Sequence, residues 1–351
     1  MPSAPGRKNF TDTPRSTQVA SNLAERRCPA EEYLTVQGHK MNVEDESLDG
    51  FRLIEAGIVG AGHKHYIGER FICRFCGLGR ESVTFKNKAH AIPEFLGNHQ
   101  LILNSECDSC NKHFGNTIEP HLEKYTHPFR ALNGITNKSR KTPKHSDEKI
   151  GAFQMDRHTN NISITLNVDD ALVHHEDRNH VSWEMQRKHF VPYMAYKALC
   201  KIAVSVAHER YLPLLKPTLE WLNPLTNREM SINPAIVIET LTPGTRYTSC
   251  VYRLYLRNTN TIPHCLFWIA FGSFSLMTLV PTGLDFKAGV ALQSELPYMP
   301  DTRSEEDIAI YGHQLHIERD FSSKEPISFP HEVHIQFEAV KKTSPPKKET
   351  T

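Results

Sequence analysis

The sequence predicts an α+β protein in two parts, a small segment stapled by metal and a larger mixed α+β domain after it. Three observations predict this. Two CxxC pairs, Cys73/Cys76 and Cys107/Cys110, enclose a stretch that holds His90 and His99. One strongly patterned helix runs through "FVPYMAYKALCKIAVSVAHERYLPLL". Beyond Trp221 the chain turns to short runs of β-branched and aromatic residues, separated by Gly, Pro and Asn.

Taken in order, residues 1–60 read as a polar, weakly patterned extension. Its first thirty residues have the composition of a disordered chain. The start "MPSAPGRKNFTDTPRSTQVA" has no apolar core of the kind a secretion signal needs. The expected compartment is therefore a reducing cytoplasm, where paired CxxC motifs read as metal ligands rather than disulfides. Cys28, Cys200, Cys250 and Cys265 are scattered singly and read as ordinary core or surface thiols.

Residues 61–145 form the cysteine segment and a basic linker. Four thiolates on two tight turns suit a tetrahedral structural zinc, with Zn–S bonds of about 2.3 Å. Gly77 and Gly79 follow the first pair, where such turns call for freedom from Cβ clashes. With all four positions filled by sulfur, this zinc has no open site for catalysis. Between the pairs, "SVTFKNKAHAI" favours a strand, "PEFLGNHQ" a loop and "LILNSE" a second strand. A helical stretch begins at Asp108, with a break or kink expected at Pro120.

Residues 146–340 form the α+β domain. A hairpin is expected around Asn160-Asn161 in "GAFQMDRHTNNISITLNV". In the long helix Met194, Ala195, Ala198, Leu199, Ile202, Ala203 and Val206 recur at helical spacing, and Pro192 suits the first turn. Strands are expected in "AIVIETL", "SCVYRLYLR", "CLFWIAF", "FSLMTLV" and "GVALQSEL". The apolar run from Cys265 to Val280 is shorter than the roughly twenty residues a membrane helix needs, so it reads as buried β structure. Residues 341–351 are a solvated tail.

The order strand, loop, strand, helix, with "AHAIP", "LGN" and "CDSCNKHFG", resembles the HNH endonucleases. The likeness is to the branch whose ββα-metal core sits between two CxxC knuckles, and it covers about Phe71 to Arg130. It implies a metal-dependent phosphodiester hydrolase acting most naturally on double-stranded DNA, with RNA left open. A role in restriction or defence, and a homo-dimer, would suit the added domain. His90 takes the place of the family's general base, a role that suits an imidazole largely neutral near pH 7. Asn111 takes the place of a ligand to a catalytic divalent metal, Mg2+, Mn2+ or Ni2+.

Two departures accompany the resemblance. Ala89 stands where many relatives carry a further metal ligand. Glu119 is the candidate replacement, with Glu106 and His113 behind it. The asparagine that orients the base would fall at Ile102, flanked by Asn98 and Asn104, and the sequence does not choose between them. The alternative reading is a zinc-stabilised nucleic-acid-binding module whose catalytic site has decayed.

Charge is nearly balanced overall, at +1. From Cys73 to His145, eleven Lys and Arg stand against six Asp and Glu. Lys86, Lys88, Arg130, Lys138, Arg140, Lys141 and Lys144 are the candidate phosphate contacts, of the kind that position a duplex without reading its sequence.

Overall fold

The computed structural model describes residues 48–336 and the strands Leu34–Val36 and His39–Met41, except residues 60–62, 138, 148–150, 157–158, 160, 168–171, 176–179, 227, 231, 233, 260–262 and 288–295. The polar start, the tail, Lys138 and most of "GVALQSEL" lie outside the described residues.

Strands β1 (Leu34–Val36) and β2 (His39–Met41) pair as an antiparallel ribbon. Next comes β3 (Phe51–Val59), which joins a sheet built otherwise from the far end of the chain. The reading of residues 1–60 as a polar extension misses this strand. "FRLIEAGIV" lacks clean alternation because most of its side chains are only half-buried at a sheet edge. Short β4 (His65–Ile67) and β5 (Leu101–Leu103) pair in parallel across the first knuckle. Helices α1 (Asp108–Thr117) and α2 (Glu119–Asn133) follow. The expected break falls at Ile118, and Pro120 sits in the first turn of α2, where its missing N–H costs nothing.

The sheet β6 (His145–Asp147), β7 (Gly151–Asp156), β8 (Asn161–Thr165) contains the expected hairpin, with Asp156 opposite Asn161. β9 (Val173–His175) and β10 (His180–Gln186) come before α3 (Pro192–Val206) and α4 (Lys216–Leu222). Then β11 (Ile236–Leu241), β12 (Tyr247–Arg257), β13 (Cys265–Gly272) and β14 (Phe274–Leu279) form most of an antiparallel sheet. After the short helices α5 (Gly283–Lys287) and α6 (Glu305–Tyr311), β15 (Leu315–Asp320) completes it in the order β15-β11-β14-β13-β12-β3. β16 (Pro330–Gln336) pairs with β10. Every residue of β13 and β14 is buried, as expected of Cys265 to Val280. Among the described residues no helix is long and apolar enough to cross a membrane.

One hydrophobic cluster spans the knuckles, α1, α2, α3 and the six-stranded sheet, from Cys73 through Phe114 and Tyr125 to Leu199, Phe267 and Phe274. α2 packs against α3 and both touch β13. Phe129 on α2 stacks on Phe274 at 3.8 Å between ring centroids. Tyr196 on α3 donates to the Leu279 carbonyl at 3.1 Å. Under α2, Arg187 and Glu239 form a fully buried ion pair at 2.9 Å. Tyr125 also donates its hydroxyl to Glu239. The cysteine segment thus rests on the sheet domain through shared core rather than hanging from a linker.

Candidate active site

The two knuckles fold because their backbones close on themselves. The amide of Gly77 bonds the Cys73 carbonyl at 2.8 Å, and the amide of Cys73 bonds the Leu78 carbonyl at 3.0 Å. Gly77 has φ +73°, which only glycine adopts freely. Gly79 has no such demand, and a Cβ there would meet only the mobile carboxylate of Glu81. The Sγ atoms of Cys73, Cys76, Cys107 and Cys110 lie within 4.8 Å of one another. Cys76 Sγ and Cys107 Sγ are 3.8 Å apart. That is about the edge of a tetrahedron with 2.3 Å arms, so the donor set fits zinc in both chemistry and spacing.

Between the knuckles the chain makes the expected β, β, α order, but the first strand is shorter than expected. Only residues next to His90 pair. The amide of Ala91 bonds the Leu101 carbonyl at 3.1 Å, and the amide of Leu103 bonds the Ala89 carbonyl at 2.8 Å. Residues 82–88 form an irregular loop held by Asp108, the first residue of α1. Its carboxylate accepts from the amides of Lys86 at 3.0 Å and Asn87 at 2.8 Å, and from the Thr84 hydroxyl. Burial pushes this carboxyl up, but those donors outweigh it and hold it below the usual range. β propensity in "SVTFK" loses here to side-chain anchoring at the helix start.

These elements enclose an open cleft of about 600 Å³, lined by Lys86, Asn87, Lys88, His90, Pro93, Glu94, Asn111, Gly115 and Glu119. Residues 73–126, the stretch that builds it, match the HNH endonuclease family. No curated protein and no solved structure matches the chain.

Within this HNH segment the cleft brings together His90, Asn111, Glu119, Lys86 and Lys88. His90 is half-buried beside Ile102 of β5. Asn111 lies in the first turn of α1, its amide on the Cys107 carbonyl at 3.0 Å. Cys107, not Asn111, is the N-cap residue, and Asn111 lines the cleft from the helix start beside the second knuckle. Glu119 opens α2 and reaches Lys201 of α3 at 3.2 Å. Lys86 and Lys88 are exposed on the Asp108-held loop.

Sequence reasoning missed Glu94, at the start of a 3-10 turn Glu94–Leu96. Its Oε1 lies 3.8 Å from His90 Nε2 and 3.9 Å from His99 Nδ1. The signal available was a carboxylate four residues after His90, just past Pro93.

Asn98 and Asn104 part ways. Asn98 is fully buried, and its carboxamide donates to the carbonyls of Ile92 at 2.7 Å and Leu101 at 3.0 Å. It accepts from the amides of Gln100 at 3.0 Å and Leu101 at 2.8 Å. It clamps the loop between the paired strands without lining the cleft. Asn104 bonds the Ile67 carbonyl through its backbone amide, at the end of β4 and away from the cleft lining. Asn98→Ala is expected to cost about 2–4 kcal/mol by stranding buried backbone groups. Urea melts of the zinc-loaded protein measure it; a midpoint like the parent's would contradict the clamp.

Other candidates move away from the cleft. Arg130 is buried, not a phosphate contact: it donates to the carbonyls of Phe95 at 3.2 Å and Glu123 at 3.1 Å, and lies over the Phe95 ring. Burial lowers its guanidinium to about 10 despite Glu123. A basic residue at the end of an amphipathic helix reads as exposed until the packing partner of that helix is known. Arg140, Lys141 and Lys144 are exposed but do not line the cleft. Glu106 is wholly buried, 3.1 Å from Lys201. His113 is exposed on α1 outside the lining. Ala89 is 2% exposed and lies outside the lining, so a carboxylate at that position would be placed in the core instead of the cleft.

For a divalent metal the cleft offers hard donors, the carboxamide of Asn111 and the carboxylates of Glu119 and Glu94, which is oxygen chemistry suited to Mg2+ or Mn2+. Among the described residues, only the four cysteines converge as a cluster of three or more His, Cys, Asp or Glu donors.

Proposed function

We propose that the HNH segment hydrolyses phosphodiester bonds in double-stranded DNA with the help of a divalent metal. One observation carries this reading: His90, Asn111 and Glu119 share a cleft with Lys86 and Lys88, inside the stretch that matches the HNH endonucleases. Lys86 and Lys88 attract backbone phosphate at the cleft wall. His90 takes the proton of the attacking water as its oxygen bonds to phosphorus and the opposite P–O bond breaks. Glu94 stabilises the imidazolium that results, since its carboxylate lies 3.8 Å from the ring. A divalent metal held by Asn111 and Glu119 would supply Lewis-acid stabilisation of the phosphate and leaving oxygen. Zinc on the four cysteines keeps α1, and with it Asn111, in place.

A second reading, binding without cutting, is favoured by Glu119, which already holds Lys201 at 3.2 Å. A carboxylate has about four acceptor directions, and one ammonium leaves the rest available. Glu119→Gln tests the ligand directly. Under hydrolysis it should raise the Mn2+ concentration for half-maximal plasmid nicking by more than tenfold, because a neutral amide holds a hard cation far less well. A titration that overlays the parent's would remove Glu119 from the metal site.

A further inference from the structure

The geometry points to Lys201, on α3 and far from the HNH segment in sequence, as the residue that positions Glu119 for metal in the cleft. This rests on the reading of Glu119 as a ligand.

Lys201 is buried in a helix that is apolar nearly all round. A lysine buried in such a helix requires partners. Its ammonium lies 3.1 Å from Glu106 Oε2 and 3.2 Å from Glu119 Oε1. It also sits over the rings of Phe75 and Phe114, at 5.9 and 5.6 Å. It therefore touches the first knuckle through Phe75, the residue before Cys107, and the start of α2 together. Of its two carboxylate partners, only Glu119 reaches the cleft.

A second contact fixes where α3 stands. Arg74, between Cys73 and Cys76, donates to the carbonyls of Val204 at 2.7 Å, Ser205 at 3.0 Å and Ala207 at 3.2 Å. These carbonyls lie at the C-terminal end of α3, where helix groups lack partners and a cation is favoured. The same guanidinium bonds Ser105 Oγ at 2.7 Å. Gly68 makes room for this arrangement, since a Cβ there would lie 2.3 Å from Ser105 Oγ. The knuckle thus grips α3, and α3 in turn delivers an ammonium to the back of Glu119. Partners that hold a ligating carboxylate from behind fix its orientation, and their loss typically costs about ten- to a hundredfold in metal affinity.

On this account the C-terminal domain completes the cleft. The test measures Mn2+ binding by electron paramagnetic resonance on zinc-loaded, full-length protein. Lys201→Met alone would strand a buried carboxylate. The main variant is therefore Glu106→Gln with Lys201→Met, which removes the pair at nearly constant volume, an exchange often tolerated. It should keep one zinc per chain and bind a DNA duplex like the parent, yet bind Mn2+ about ten- to a hundredfold more weakly. Unchanged or tighter Mn2+ binding in that folded variant would overturn the proposal. If the variant does not fold, the parent still decides. With 15N-labelled lysine, the buried Lys201 ammonium signal should shift as Mg2+ fills the cleft, and should not shift in Glu119→Gln. No shift in the parent at saturating Mg2+ overturns the proposal. Glu119→Gln that binds Mn2+ like the parent removes the ligand itself, a different failure, and takes this proposal with it.

Discussion

Cys107→Ser is expected to lose the bound zinc and unfold the HNH segment, rather than merely slow its chemistry. Cys107 is fully buried, contributes one of the four clustered thiols and caps α1. Structural zinc sites carry roughly 10–16 kcal/mol of apparent binding free energy at neutral pH, coupled to folding. A whole domain is stable by only about 5–15 kcal/mol. Serine keeps the shape but is a poor zinc ligand, so the loss exceeds what a segment of this size can absorb. The damage should spread, because Phe114, Leu122 and Tyr125 share one cluster with α3 and the six-stranded sheet. Hydrogen exchange should show loss of protection from α1 through α2, and the melting transition of the remainder should fall. A variant that retains one zinc per chain and melts like the parent would contradict this account of the frame.

His90→Ala should lower the rate of cleavage by about a hundred- to ten-thousandfold, the usual worth of a positioned general base. That corresponds to roughly 2.7–5.5 kcal/mol of barrier. Stability should hardly change. The His90 side chain is 19% exposed at the cleft wall and is not part of the core. Duplex binding should also persist, since Lys86 and Lys88 remain on their Asp108-held loop. Single-turnover nicking at saturating metal, read beside zinc content and thermal melting, measures both halves. A variant with parental nicking would place the base elsewhere. A variant that also loses zinc would make His90 a structural residue.

The zinc frame was legible in the sequence because ligand type and spacing carry it alone. His90, Asn111 and Glu119 were singled out through the HNH resemblance, and the fold places all three at one cleft. What failed was whatever depends on partners distant in sequence. Arg130 counts as a basic surface residue until α2 is seen packed, with Phe95 closing over the guanidinium. The pattern of α3 was readable, but Lys201 interrupts an apolar helix and its partners lie on other elements. "FRLIEAGIV" could not announce its place beside β12, because an edge strand with half-buried side chains has a weak period. The β reading of "SVTFKNK" failed because three hydrogen bonds to Asp108 outbid strand pairing.

The central claim is that one cleft of this protein cuts duplex DNA with His90 and a divalent metal. Nicking of supercoiled plasmid tests it most directly, with zinc-loaded protein, added Mg2+, Mn2+ or Ni2+, and His90→Ala run alongside. The account predicts metal-dependent conversion to open circles by the parent and almost none by the variant. A parent that binds the plasmid yet leaves it supercoiled with all three metals would contradict it and make the protein a binding module.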